Sequence, residues 1–177
     1  SYIGNLAASG ISDLKFITAT PGIKYKIQGD ITMNSGWHIS DADVTGTIDN
    51  NGTSATGEII MNSEITGRIN GNSNNINFEI SGNIIHNTPS IQANVVNFYR
   101  GSITGNYFDN LYPVYGEFVN IFSAATASND TVFVTGNQYI ASSFPGDRAL
   151  AFWNNTQYVY ISANYVKSSN AFYIRAL

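Results

Sequence analysis

The chain is predicted to fold as an all-β, right-handed, single-stranded parallel β-helix of about seven coils. Three features point there. A short phrase recurs six times, apolar and polar residues alternate inside each copy, and the polar surface is built from Asn, Ser, Thr and Gly instead of charge.

The phrase joins a β-branched apolar residue, a Ser or Thr, a Gly or Ala, usually an Asn, and then aromatic or aliphatic residues. Its copies are Val44-Thr45-Gly46-Thr47-Ile48, Ile65-Thr66-Gly67-Arg68-Ile69, Ile80-Ser81-Gly82-Asn83-Ile84, Ile103-Thr104-Gly105-Asn106-Tyr107-Phe108, Val134-Thr135-Gly136-Asn137-Gln138-Tyr139 and Ile161-Ser162-Ala163-Asn164-Tyr165-Val166. From Gly46 through Gly67, Gly82, Gly105 and Gly136 to Ala163 the steps are 21, 15, 23, 31 and 27 residues. A variable period in the twenties marks a solenoid whose strands are fixed while its loops grow. Ile76, Phe78 and Ile80, then Val132 and Val134, then Val159 and Ile161 keep the two-residue period of a half-buried strand. The Gly permits a tight corner, and the Asn after it can adopt the left-handed conformation or bond nearby backbone. Stacked over successive coils, these Asn residues are expected to form a ladder. The competing reading makes Gly-Asn a hairpin turn of an antiparallel sandwich; six copies at this spacing favour the solenoid.

Composition bounds the rest. With 177 residues and 19.2 kDa the chain has room for one domain with a real core, taken as residues 1–177. Hydrophobic residues are 43% and charged ones 11%, against roughly 25% charged in average proteins, so uncharged groups must supply the polarity. A net charge of -4 has the wrong sign for a phosphate-binding surface, which argues against nucleic acid as a partner. Cysteine is absent, which removes disulfides and thiolate metal sites. No apolar run approaches the roughly 18 to 20 residues that span a bilayer. The chain begins at Ser1, with no signal-peptide layout, and is expected to be part of a longer protein.

Along the chain, residues 11–78 read as thinner coils, with short alternating pieces such as Ile23, Tyr25 and Ile27. Residues 79–177 read as regular coils with enlarged loops, chiefly Asn110 to Asp130 and Ser142 to Arg148. Asn70 to Asn75 reads as a turn between coils.

The four Asn-bearing copies resemble the right-handed parallel β-helix superfamily of pectate lyases, polygalacturonases and bacteriophage tailspikes, over roughly Ile39 to Leu177. Low charge, no cysteine and abundant Asn, Ser and Tyr are most similar to the phage tailspikes and tail fibres. The resemblance implies a homotrimer at a virion or other extracellular surface that binds, and in some members cleaves, a bacterial surface polysaccharide. The Asn-Thr-Asp, Asp-Asp and Gly-His-Gly signatures of polygalacturonases are missing, so pectin cleavage is not expected.

Residues able to carry chemistry are few. Glycoside hydrolysis needs two carboxyl groups about 5 to 5.5 Å or roughly 6.5 to 9.5 Å apart. Asp41 and Asp43, two apart on a strand, would share a face about 6.5 to 7 Å apart; Ser40-Asp41-Ala42-Asp43 is equally good turn chemistry. Glu79, Asp109, Glu117, Asp130 and Asp147 are single acids that only folding can pair. A lyase needs a base and a cation, for which Arg100, Arg148, His38 and His86 are the candidates; beside Asn87-Thr88-Pro89, His86 also reads as a turn residue. Two His and no Cys argue against zinc, no calcium-loop motif occurs, and no cofactor is expected.

Aromatic residues make the stronger case for binding. Trp37, Tyr99, Tyr107, Tyr112, Tyr115, Trp153 and Tyr158 fall outside the alternating core pattern. Sugars offer C–H faces to aromatic rings and hydroxyls to Asn, Asp and Arg. Trp37, Tyr112, Tyr115, Arg148, Trp153 and Asn154 are therefore the expected binding residues. The alternatives left open are a polysaccharide depolymerase on the same scaffold, and a structural shaft or adhesin stalk whose aromatics lie between subunits.

Overall fold

The computed structural model describes residues 1–7, 15–16, 20, 22–34, 36–50, 56–71, 77–88, 93–109, 117–122, 131–140, 148–153, 158–167 and 170–175. It is a parallel β-solenoid with no helix among those residues. The chain visits three walls in rotation, and every strand but the first and last of each wall pairs in parallel with the strands one turn before and after it. Wall A stacks Tyr2–Ile3, Tyr25–Gln28, Ala42–Thr45, Glu64–Thr66, Ile84–His86, Tyr107–Asp109, Gln138–Ile140 and Tyr165–Lys167. Wall B stacks Leu6–Ala7, Ile31–Met33, Ile48–Asn50, Ile69–Asn70, Ala93–Phe98, Glu117–Phe122, Arg148–Trp153 and Asn170–Arg175. Wall C stacks Lys15–Phe16, His38–Ser40, Thr56–Met61, Asn77–Ser81, Gly101–Thr104, Thr131–Thr135 and Tyr158–Ser162. Turns are numbered below by their wall A strand, the first opening at Tyr2.

Alternation decides what each wall buries. On wall A the central residues Ile27, Val44, Ile65, Ile85, Phe108 and Tyr139 are in register and wholly buried. On wall C the inward row is Ile39, Ile60, Ile80, Ile103 and Val134. Both rows meet wall B residues such as Ile48, Val95 and Val119 in one continuous core. Five turns, from Tyr25 to Thr135, bury side chains from all three walls. The expectation of about seven coils is corrected to these five sealed turns. The terminal turns have strands but are not sealed: Tyr2, in register with inward Ile27, is 38% exposed, and Ile161, in the inward row of wall C, is 39% exposed.

The register residues of wall A measure each turn. Ile27 to Val44 is 17 residues, Val44 to Ile65 is 21, Ile65 to Ile85 is 20, Ile85 to Phe108 is 23, Phe108 to Tyr139 is 31 and Tyr139 to Val166 is 27. The six phrases do not occupy one place in the coil. Gly46 and Gly67 turn the chain from wall A to wall B, whereas Gly82, Gly105, Gly136 and Ala163 turn it from wall C to wall A. The short step of 15 residues thus lies within one turn.

The predicted asparagine ladder is present at the second corner. The Asn83 backbone N–H and Nδ2 both donate to Asn106 Oδ1 at 2.9 Å, and Asn106 does the same to Asn137 Oδ1 at 2.9 and 3.0 Å. Asn137 repeats the pattern on Asn164. Each Nδ2 also donates to a wall C carbonyl, that of Ile60, Ile80, Ile103 or Val134. Asn83, Asn106 and Asn137 are buried, so the ladder satisfies polar groups that would otherwise be costly to remove from water.

Candidate functional site

Inward Ile65, Ile85 and Phe108 force their neighbours outward, and one neighbour of each is ionisable: Glu64, His86 and Asp109. His86 Nδ1 lies 2.7 Å from Asp109 Oδ1, its register partner in the next turn, and Nε2 lies 3.4 Å from Glu64 Oε1. Glu64 Oε2 accepts a hydrogen bond from Lys24 Nζ at 3.1 Å, and Lys26 pairs with Asp43 at 3.5 Å. Hydrogen bonding and charge from Lys24, aided by His86 and opposed by partial burial, hold the Glu64 carboxyl below its usual range. The arrangement runs along the solenoid axis, with a lysine beside Asp43 and Glu64 and the His86 ring between Glu64 and Asp109. Among the described residues, no three His, Asp or Glu converge so as to hold a metal ion. His86 ends a wall A strand, so the turn reading of this residue is corrected.

The expected acid pair does not have the expected geometry. Asp41 is not in a strand but at a corner, with φ of 54°, exposed and just ahead of the strand that holds Asp43. Asp43 faces outward on wall A, where its register partners are Lys26 and Glu64. The carboxyl group nearest to it by topology therefore belongs to Glu64, one turn on.

Of the expected binding residues, Trp37 is wholly buried in the core and presents no ring to a ligand. Its place before the inward Ile39 puts it on the inner side of the wall C corner. Arg148 and Trp153 are the end residues of one wall B strand, with Arg148 in register with Glu117. Tyr112, Tyr115 and Asn154 lie outside the described residues.

Of the six exposed aromatics among the described residues, Phe133, Tyr158 and Tyr160 lie on wall C and Tyr2, Tyr25 and Tyr165 on wall A. Phe133 and Tyr160 are register partners, 46% and 56% exposed, with ring centroids 5.1 Å apart and planes 14° from parallel. Tyr158 is 54% exposed, two residues before Tyr160 on the same strand. Beside this row runs a row of hydroxyls in register, Ser81, Thr104, Thr135 and Ser162. Sequence reading singled out Tyr158 and missed Phe133 and Tyr160. The signal was available: Phe133 stands between inward Val132 and Val134, and Tyr160 between Val159 and Ile161, so strand alternation turns both rings outward. By contrast Phe78, Phe98, Phe108, Phe118 and Tyr139 fill the core, with Phe108 and Tyr139 stacked at 5.0 Å. The Tyr139 hydroxyl has no hydrogen-bond partner, and burial pushes its pKa far up.

No protein-family model matches the chain, and neither the curated proteins nor the solved structures include a match to it.

Proposed function

We propose that this solenoid is a receptor-binding segment of the phage tailspike or tail-fibre kind, working as a homotrimer outside the cell and recognising a bacterial surface polysaccharide. The observation that carries the reading is the outer face of wall C, where the stacked Phe133 and Tyr160 stand beside the hydroxyl row. Among the described residues of the last two wall C strands, the outward positions are Thr131, Phe133, Thr135, Tyr158, Tyr160 and Ser162, none charged. Aromatic rings accept the C–H faces of sugars and hydroxyls pair with theirs, while neutral groups avoid the desolvation cost of an ion. A parallel wall repeats this chemistry about every 4.8 Å, which suits a polymer with many similar units.

An array of bacterial capsular and O-antigen polysaccharides, probed with the purified chain, tests the reading. Binding to one or a few related polymers, lost on Phe133→Ser with Tyr160→Ser, is expected; silence across the array refutes it. Light scattering tests the trimer, and a monomer would remove that part of the proposal.

A hydrolytic second reading is favoured by one observation, the adjacent outward carboxylates Asp43 and Glu64. Rungs are about 4.8 Å apart, near the separation used by retaining glycosidases. Glu64, held ionised by Lys24, suits the nucleophile rather than the acid. New reducing ends from the bound polymer, abolished by Glu64→Gln, would establish it.

A further inference from the structure

The Phe133–Tyr160 pair does not present its ring faces sideways to solvent. Near-parallel rings with centroids 5.1 Å apart must overlap face to face, and the two residues are one rung apart, so their faces point along the solenoid axis. Each shields one face of the other. What the pair turns to the side is edges and the tyrosine hydroxyl. The lower face of Phe133 is different, because its register partner one turn below is Ser102, and the partner below that is Glu79. The row therefore reads Glu79, Ser102, Phe133, Tyr160, with a small side chain between an aromatic face and a carboxylate.

We infer that this step over Ser102 is a subsite for a single neutral pyranose ring, lying with its C–H face under Phe133 and its opposite hydroxyls on Glu79. This rests on the polysaccharide-binding reading above and names where on wall C a sugar sits. The dimensions agree. Two rungs separate Glu79 from Phe133, about 9 to 10 Å. Van der Waals contact with the ring takes roughly 3.5 to 4 Å of that and a hydrogen bond to the carboxylate roughly 2.6 to 3.2 Å. The remainder matches the thickness of one puckered ring with its hydroxyls. Ser81 Oγ donates to Glu79 Oε1 at 2.8 Å, which orients the carboxylate, and no other hydrogen bond to it is made among the described residues. Ser102 and Glu79 are both partly exposed, so the step opens to solvent. A carboxylate at this place accepts hydroxyl hydrogen bonds and repels uronic acids, so the unit seated here is uncharged.

Saturation-transfer NMR with methyl glycopyranosides of glucose, galactose, N-acetylglucosamine and glucuronic acid tests the subsite. A neutral glycoside is expected to bind at millimolar strength, with strongest transfer to the C–H protons of one ring face, and the glucuronide is expected not to bind. Phe133→Leu should weaken binding about tenfold, and Phe133→Tyr should leave it intact. Ser102→Tyr, which continues the aromatic row and fills the step, should abolish it. Glu79→Gln, a surface change with little effect on folding, should weaken neutral sugars several-fold and relieve the exclusion of glucuronide. Undiminished binding in Ser102→Tyr, or unchanged discrimination in Glu79→Gln, overturns the subsite. If polysaccharide binding on the array persists while these variants behave as wild type, the subsite is wrong and the broader reading stands; if array and glycosides are both silent, both fall.

Discussion

Two corners of this solenoid use glycine for different physical ends. At the corner from wall A to wall B, Gly29, Gly46 and Gly67 have φ between 141° and 153°, and a Cβ on each would run into the carbonyl oxygen of the glycine one turn before it. Glycine is there to let successive turns approach. At the corner from wall C to wall A, Gly82, Gly105 and Gly136 have φ of 64° to 67°, and at Gly105 a Cβ would meet nothing within 4 Å. That corner needs only the left-handed conformation, and Asp41, Asn62 and Ala163 supply it with φ of 52° to 54°. What holds the second corner is the residue that follows, the buried asparagine. One corner is fixed by the absence of a side chain and the other by the presence of one.

The largest effect should come from adding a methyl group where turns touch. Gly67→Ala places Cβ against the Gly46 carbonyl, backbone against backbone, so the only relief is to separate two turns and lose ladder hydrogen bonds such as Gly46 N–H to Thr66 O at 3.1 Å. A loss of about 3 kcal/mol or more is expected in denaturant unfolding, at the upper end of single-site effects. A loss under about 1 kcal/mol would mean that the turns are not packed as tightly as this corner requires.

Next comes Asn106→Ala, which leaves the first corner untouched and cuts the ladder at the second. The buried Asn83 N–H loses its acceptor and the Ile80 carbonyl loses a donor. Each orphaned group costs on the order of 1–3 kcal/mol, so about 2–3 kcal/mol is expected, with wall A amides of the neighbouring turns exchanging faster in hydrogen-exchange measurements. Asn106→Asp keeps the acceptor but sets a buried carboxylate oxygen against the Ile80 carbonyl and Asn137 Oδ1, and should destabilise at least as much as Ala at neutral pH.

This contrast explains how much could be read beforehand. The walls were legible because Phe78 and Ile80, and Val132 and Val134, keep a two-residue period, and the asparagine ladder because Gly-Asn recurs at Asn83, Asn106 and Asn137. The split into two corners was not, since Thr45-Gly46 and Thr104-Gly105 look alike and differ only in which wall follows. Asp41 misled for the same reason: its spacing from Asp43 suits a strand, but a left-handed corner intervenes. The line through Glu64, His86 and Asp109 was illegible because residues more than 20 apart meet only once turn lengths are known. Trp37 looked peripheral although Trp37-His38-Ile39-Ser40 alternates, and the two-residue period shared with inward Ile39 turns its ring into the core.

Inside the wall C strand Thr56–Met61 a buried acid adds a pH-dependent effect. Glu58 is wholly buried beside Asn50 with neither carboxyl oxygen in a well-formed hydrogen bond, and burial raises its pKa above the ordinary 4.5. The folded state thus holds this proton more tightly than the unfolded state. Its contribution to stability is full below the ordinary value and is lost as pH rises through the raised one. Melting temperatures of wild type should fall across that interval relative to Glu58→Gln, which removes the titration; parallel curves for the two proteins would contradict the assignment.

The smallest effect should be Gly136→Ala, and its smallness is what makes it informative. A Cβ at this position would come no nearer than 3.8 Å to any atom outside its chain neighbours, in ordinary contact with Gly105, and the φ of 67° is close to the 54° that Ala163 adopts at the same corner one turn later. The left-handed conformation costs an alanine about 1–2 kcal/mol, and the reduced freedom of the unfolded chain returns about 0.4–1 kcal/mol. A net loss of about 1 kcal/mol or less is expected in the same denaturant experiment that records Gly67→Ala. Equal losses at the two glycines would show that backbone conformation alone governs both corners. A loss at least threefold larger at Gly67 assigns that corner to the contact between turns and leaves the second to its asparagines.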